Sequence, residues 1–303
     1  MDLPIELAAF GLSPLEGGYS GETFVSGEGS DRVVVRIYGS RSAARGESAV
    51  EVDAAVLRLM RGIVPVPEVL EVRRPAADHP GLLVTSFLPG ERADLLLGRA
   101  GPADRERAGR AIGRVLDRLA HIPTLRPGTF VDGDLLIRPF PPTADGLPGW
   151  VDAHLERLSG WTEVELMGLA RVAEDAQALL DTVGRTCFVH SDLNPKNLLL
   201  DPESLEVVGV LDWEFAHSGS PYTDLGNLVR FERDEAFTAG VLAGVGLAGA
   251  EGARALDLAR AADLWALVDL AARDAEDGNP VTGAATALLR AVARSGDLHA
   301  VAG

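Results

Sequence analysis

Within Phe188 to Asp201, FVHSDLNPKNLLLD, an acid, a proline and two amides interrupt a run of apolar residues. Asp192 could take a proton from a hydroxyl, and Asn197 carries an amide oxygen suited to a hard cation. A second acid, Asp212, ends the apolar run VVGVL, 15 residues after Asn197. Two carboxylates and a carboxamide converging from the ends of apolar strands fit phosphoryl transfer. That reaction asks a protein for little covalent work. It needs magnesium on the phosphates, held by oxygen ligands, and a nucleophile kept in line.

The elements around these residues must bring them together. The spacing His190-x-Asp192-x-x-x-x-Asn197 is that of the kinase catalytic loop. Before it, the chain reads as strand-rich. LEGGYSGETFVSG has glycines at 17, 18, 21 and 27 between short apolar runs, and DRVVVRIYG predicts a β-branched strand. Apolar spacing predicts a helix over 42–61, with Val52, Val56, Leu59 and Met60 on one face. IVPVPEVLEV reads as a loop entering a strand, and GLLVTSFLPG as a strand stopped by Pro-Gly. Helices are predicted over 102–121, 163–183, 254–275 and 281–294, with a proline-studded loop over 122–149. The expected fold is α+β and bilobal: a small β-rich lobe, 1–89, that holds nucleotide, and a larger α-helical lobe, 90–303, that carries catalysis and substrate.

Composition narrows the partners. A chain of 303 residues is long for one core. A formal charge of −17 argues against nucleic acid and suits a cationic ligand; surplus acids also simply keep a protein soluble. The longest uncharged run, Phe237 to Ala250, is too short and glycine-rich to cross a bilayer, and no signal peptide is visible. The single cysteine, Cys187, suits a reducing cytoplasm. The expectation is a cytoplasmic protein without a membrane, a monomer or weak dimer.

VHSDLNPKNLLLD, followed by VVGVLDWEFAHSGSPYTDLGNLVRF, resembles the core of the aminoglycoside phosphotransferase family, antibiotic kinases with a protein-kinase-like fold. The resemblance extends to LEGGYSGETFVS as nucleotide loop, VVVRIY as third strand, DAAVLRLM as bracing helix and LLVTSFLPGE as hinge. SGSPYTDLGNLVRF most resembles family members that act on basic antibiotics, including the viomycin and capreomycin type. The resemblance implies ATP or GTP with Mg²⁺ as cofactors. Asp192 would be the base, and Asn197 and Asp212 the Mg²⁺ ligands. Asp224 would brace the catalytic loop and His190 would pack beneath it. Gly17, Gly18, Ser20 and Gly21 would approach phosphate, Ser86 and Leu88 would meet adenine through the main chain, and Leu199 with Val35 would sandwich the base.

Three positions depart from the kinase pattern. Arg36 stands where the strand usually carries a phosphate-gripping Lys, and Asp53 where the helix carries Glu. A longer base facing a shorter acid suggests an Arg36–Asp53 pair, with Glu51 and Glu47 as fallback partners. Ser191 replaces a common Gly, and Asn194 replaces a phosphate-contacting Lys, with Lys196 two positions on. For a cationic acceptor, Glu214, Asp263, Asp269 and Asp274, with Trp265 as a platform, are candidates; Asp132 and Asp134 are others. Two readings compete with an antibiotic kinase: a metabolite kinase for choline, a sugar or an amino alcohol, and a silent nucleotide-binding regulator.

Overall fold

The computed structural model describes residues 12–14, 23–39, 45–140, 146–273 and 280–302. Gly17, Gly18, Ser20, Gly21 and Asp274 lie outside the described residues. The first five strands are β1 (Ser13–Pro14), β2 (Thr23–Ser26), β3 (Val33–Tyr38), β4 (Val69–Arg73) and β5 (Gly81–Ser86). They form one antiparallel sheet in the order β1-β2-β3-β5-β4. The β-branched run of β3 fits a central strand. Its two-residue alternation places Arg36 and Tyr38 on one face and Val35 and Ile37 on the other.

Helix α1 (Ala49–Met60) buries Val50, Ala54 and Leu57 together with Val52, Val56 and Met60. It starts later than the predicted residue 42. Gly46 has φ 89°, a left-handed conformation that a continuous right-handed helix cannot contain.

The chain then alternates short strands with helices. These are β6 (Glu91–Arg92), α2 (Ala93–Arg99), α3 (Pro102–Ala120), β7 (Pro123–Thr124), β8 (Gly128–Phe130), β9 (Ile137–Arg138), α4 (Gly146–His154) and α5 (Glu163–Leu180). Next come β10 (Thr186–Val189), β11 (Leu198–Leu200), β12 (Val207–Val210), β13 (His217–Gly219), α6 (Thr223–Val229), α7 (Glu235–Val245), α8 (Gly249–Ala271) and α9 (Pro280–Ser295). The proline-studded stretch expected as a loop supplies three strands of a second sheet, in the order β7-β10-β13-β8-β9. Proline is tolerated there because β7 is an edge strand, with Pro123 opposite Cys187. Asp132 closes the β8–β9 turn, its Oδ1 accepting from the N–H groups of Asp134 and Leu136 at 3.0 Å each.

A large core runs from Tyr38 and α1 through α3, β10, β11, α6 and α7. A second core lies among α4, α5, α8 and α9. Helices α3 and α7 cross with backbones nearly touching: a Cβ on Gly113 would lie 2.2 Å from the Val241 oxygen, and one on Gly240 would lie 2.1 Å from that of Glu106. The uncharged run Phe237 to Ala250 is spent on this crossing and the start of α8. No single described helix is long and apolar enough to cross a membrane; α7 and α8 would be so only together, and they meet at 103°.

Candidate active site

The loop over 190–197 hangs between two ladders. Strand β10 is buried along Cys187, Phe188 and Val189 and delivers His190. Strands β11 and β12 pair Leu198 with Val210, and the Leu211 N–H donates to the Asn197 carbonyl at 2.8 Å. That register sets Asn197 across from Leu211, with Asp212 one residue further. Asp212 itself has φ 60° and ψ 62°, a left-handed backbone that turns its carboxylate out of the strand.

The proline and the two amides of the loop shape it. Asn194 caps a single 3₁₀ turn, Pro195–Asn197, its side chain accepting from the Lys196 N–H at 3.0 Å, and proline suits the first position of that turn. Asn194 Nδ2 donates to Asp192 Oδ1 at 2.9 Å, and Asn197 Nδ2 donates to Asp192 Oδ2 at 2.8 Å. Both oxygens of Asp192 are therefore oriented by amides. The nitrogen of Asn197 is spent on Asp192, and its Oδ1 has no hydrogen-bond partner among the described residues, which leaves the atom that a hard cation prefers. The Asp212 side chain is 41% exposed. One carboxylate and one carboxamide oxygen fit Mg²⁺, which takes few protein ligands when phosphates supply others.

Below the loop lies a buried frame. Asp224, in the first turn of α6, accepts the N–H groups of His190 at 2.9 Å and Ser191 at 2.7 Å. Burial pushes its carboxyl up to about 6, against those two hydrogen bonds. His190 is fully buried, and burial pushes it down to about 4, so the ring is neutral. Its Nδ1 accepts the Asp192 N–H at 3.2 Å and its Nε2 lies 2.9 Å from the Leu211 carbonyl, which fixes the Nε2–H tautomer. Asp192 is raised by burial first; Asp212 pushes the same way, and the amides of Asn197 and Asn194 pull against them. Asn227, three residues after Asp224 on the same face of α6, donates to the Ser191 carbonyl at 3.3 Å. The Asp224-x-x-Asn227 spacing, one helical turn, is the signal in the sequence for this second brace.

Opposite the loop, the pairing of Arg36 differs from expectation. Arg36 Nη1 meets Asp212 Oδ1 at 3.2 Å and its Nη2 meets Glu214; it makes no hydrogen bond with Asp53. Asp53 is taken by Tyr38, whose hydroxyl donates to Oδ2 at 2.6 Å, and by Arg45, through Nη1 at 2.9 Å and through Nη2. The reason is reach. Tyr38 follows Arg36 by two on the strand and fills the space over α1, while the longer Arg36 crosses to the turn Trp213–Phe215. Burial works against the Arg36 charge, and Tyr38, Glu214, Asp212 and Asp53 outweigh it and raise its pKa. Tyr38 had a readable signal in the strand alternation; Arg45 had none.

At the hinge, the Ser86 N–H donates to the Glu68 carbonyl at 2.9 Å and the Phe87 N–H to the Arg32 carbonyl at 3.3 Å. Ser86 can therefore offer a base its carbonyl rather than its N–H. Leu88 and Leu199 face each other over Gly209, where a Cβ would meet both at 3.0 Å.

The expected acceptor-side acids are largely committed elsewhere. Glu214 holds Arg36. Asp263 is 5% exposed and bidentate with Arg230, at 2.7 to 3.1 Å, so it is closed to a ligand. Asp269 pairs with Arg273 at 2.9 Å. Trp265 packs on Trp150 in the second core, centroids 5.6 Å apart, as framework and not as an open platform. Arg230, which sequence gave no reason to select, is close enough to Asp192 to lower its pKa.

A family model described as "Phosphotransferase enzyme family" matches residues 11–262. Among solved structures, a thermostable mutant of aminoglycoside phosphotransferase APH(4)-Ia, in ternary complex with ADP and hygromycin B, is similar with a TM-score of 0.66 and 18% identity, covering 96% of this chain and 97% of that one. An aminoglycoside phosphotransferase from Streptomyces rimosus, in complex with ADP and streptomycin, is similar with a TM-score of 0.54 and 22% identity, covering 86% and 99%. Among curated proteins, mouse acyl-CoA dehydrogenase family member 10 is 26% identical over 229 residues, 73% of this chain. The chain spans 20% of that protein's length.

Proposed function

We propose, from the premise that this chain belongs to the phosphotransferase enzyme family, that it moves the γ-phosphoryl group of ATP or GTP to a hydroxyl of a small molecule. The observation that carries the reading is the pair of amides aiming the Asp192 carboxylate beside Asn197 Oδ1 and Asp212. Asp192 would orient the acceptor hydroxyl and take its proton at whichever of Oδ1 and Oδ2 faces it. Asn197 and Asp212 would hold Mg²⁺, which when bound neutralises charge on the phosphate oxygens. Leu88 N–H and the Ser86 carbonyl would meet the base, Leu199 would floor it, and residues 1–89 would form the nucleotide-holding part.

For the acceptor, a cationic antibiotic agrees with the solved neighbours and with the charge of −17. A small-metabolite kinase is the second reading, and one observation favours it: Glu214, Asp263 and Asp269 are each neutralised by an arginine of this chain and do not form an open acidic shelf. The mouse relative is named for acyl-CoA; an acyl compound needs a hydroxyl to accept phosphate, so hydroxyl-bearing acyl compounds join the panel. Incubation with labelled ATP or GTP, Mg²⁺ and a panel of basic antibiotics, amino alcohols, sugars and hydroxyl-bearing acyl compounds tests both. Transfer to one class names the acceptor. Tight nucleotide binding with no transfer to any hydroxyl would leave the silent regulator in its place.

A further inference from the structure

Five charged side chains form an unbroken alternating series from the turn after β12 to α1: Asp212, Arg36, Glu214, Arg45 and Asp53. The links are Arg36–Asp212 at 3.2 Å, Arg36–Glu214, Arg45–Glu214 at 4.0 Å, and Arg45–Asp53 through Nη1 and Nη2. The inner members are largely withdrawn from water, with side chains 16% exposed at Arg36, 23% at Glu214 and 22% at Arg45, and the terminal Asp53 is 6% exposed. Each guanidinium thus bridges two acids, and each inner partner is held from two sides.

We infer that Arg45 and Glu214 are positioning residues for the nucleotide phosphates. Arg45 neutralises the helix acid Asp53 so that Arg36 is free of it, and Glu214 holds Arg36 at the cleft when a divalent cation claims Asp212. The inference rests on the phosphotransferase reading and deepens it.

Three features of the series lead there. First, Asp53 is buried, and its charge already reaches Arg36. Without Arg45, Arg36 would be the nearest cation to a buried carboxylate, and a buried charge left unpaired is strongly unfavourable. Second, Arg36 and a cation compete for Asp212, because the carboxylate that fits the metal is the one Arg36 now contacts. Third, Glu214 binds a different nitrogen of Arg36 from Asp212, so Nη1 can exchange Asp212 for a phosphate oxygen while Nη2 stays anchored. The turn bearing Glu214 is itself fixed, since Trp213 is buried and its Nε1 donates to the Val210 carbonyl at 3.0 Å.

Calorimetric titration of the full chain with ADP, at a series of MgCl₂ concentrations, tests this. Arg45→Gln should weaken ADP binding roughly tenfold. The same substitution made in an Asp53→Asn background should weaken it little, because the charge that captures Arg36 is gone. Glu214→Gln should raise the Mg²⁺ concentration needed for half-maximal ADP binding several-fold, because Arg36 then has Asp212 as its remaining acid; a merely structural role would not move that requirement. Melting curves establish that each variant is folded, and if Arg45→Gln does not fold, the Glu214→Gln titration decides. An Arg45→Gln loss that is absent, or that persists undiminished with Asp53→Asn, overturns the proposal, as does an unaltered Mg²⁺ requirement in Glu214→Gln. Failure of the unsubstituted chain to bind ADP would instead overturn the phosphotransferase mechanism proposed above.

Discussion

The two walls of the cleft are built by different rules. On the catalytic-loop wall, polar side chains are tied to atoms nearby in sequence or to a single helix. Asn194 and Asn197 hold Asp192, and Asp224 and Asn227 hold the backbone at 190 and 191. On the Arg36 wall, partners lie as far as 178 positions apart, and charged groups share one another. Local bonds fix one geometry whatever occupies the cleft. Shared ion pairs can be redistributed when a new charge arrives. The difference suits a reaction whose base must be stationary while its nucleotide comes and goes.

The largest effect should follow from Asp192, the point on which the loop wall converges. Asp192→Ala is expected to lower kcat by about 10²–10⁴-fold. Nucleotide affinity, which the proposed function assigns to groups other than Asp192, should stay near that of the unsubstituted protein. Single-turnover kinetics with a nucleotide titration checks both, and a retained kcat would remove Asp192 from the base role.

Next is Asp224, which ties two backbone N–H groups. Asp224→Asn replaces one acceptor oxygen by a donor, and kcat should fall roughly 10- to 100-fold, with a loss of about 2–3 kcal/mol in stability. The pH dependence follows from burial. The folded pKa of about 6 lies above the ordinary 3.8, so the stability contribution of Asp224 is full below about pH 4 and lost as pH rises through 6. Its ionised form, the one that braces the loop best, has the opposite dependence, so activity should fall as pH drops through about 6. His190, lowered from 6.5 to about 4, contributes stability that is lost as pH falls across that interval. In the unsubstituted protein the two contributions oppose each other between about pH 4 and 6. Asp224→Asn should therefore expose a steeper acid loss, read by denaturant melts across that window.

The same division decides what could be read in the sequence. HSDLNPKN carries its own geometry, because each amide reaches its target within five residues and the apolar strands fix the register of Asn197 against Asp212. The α+β order was legible from the β-branched run of β3 and the long amphipathic helices. The Arg36 partner was not. Spacing cannot rank acids that all come within a guanidinium's reach, and Tyr38 occupies the place an Arg36–Asp53 pair would need. The proline stretch was read as a loop because sequence does not show which strand will be an edge.

Tyr38→Phe sharpens the contrast at smaller scale. It removes the hydroxyl donating to buried Asp53 and leaves Arg45 in place. A hydrogen bond to a charged group is worth about 1.5–3 kcal/mol, and Arg45 should limit the loss to the lower end. Thermal melts measure it, and a larger loss would mean that Tyr38, not Arg45, is the main partner of Asp53.

The smallest effect concerns Ser191, where φ is 70° in a residue with a Cβ. A left-handed conformation costs a residue with a Cβ about 1–2 kcal/mol. Glycine would avoid that strain but lose about 0.5–1 kcal/mol through the greater freedom of its unfolded chain. The balance favours Ser191→Gly by up to about 1.5 kcal/mol. That gain should appear as a modest rise in Tm if the loop is held by its hydrogen bonds. The two that flank this peptide, from its N–H to Asp224 and from Asn227 to its carbonyl, do not involve the side chain and survive the change. A fall in Tm would mean that the serine side chain, and not these backbone ties, sets the conformation of the catalytic loop.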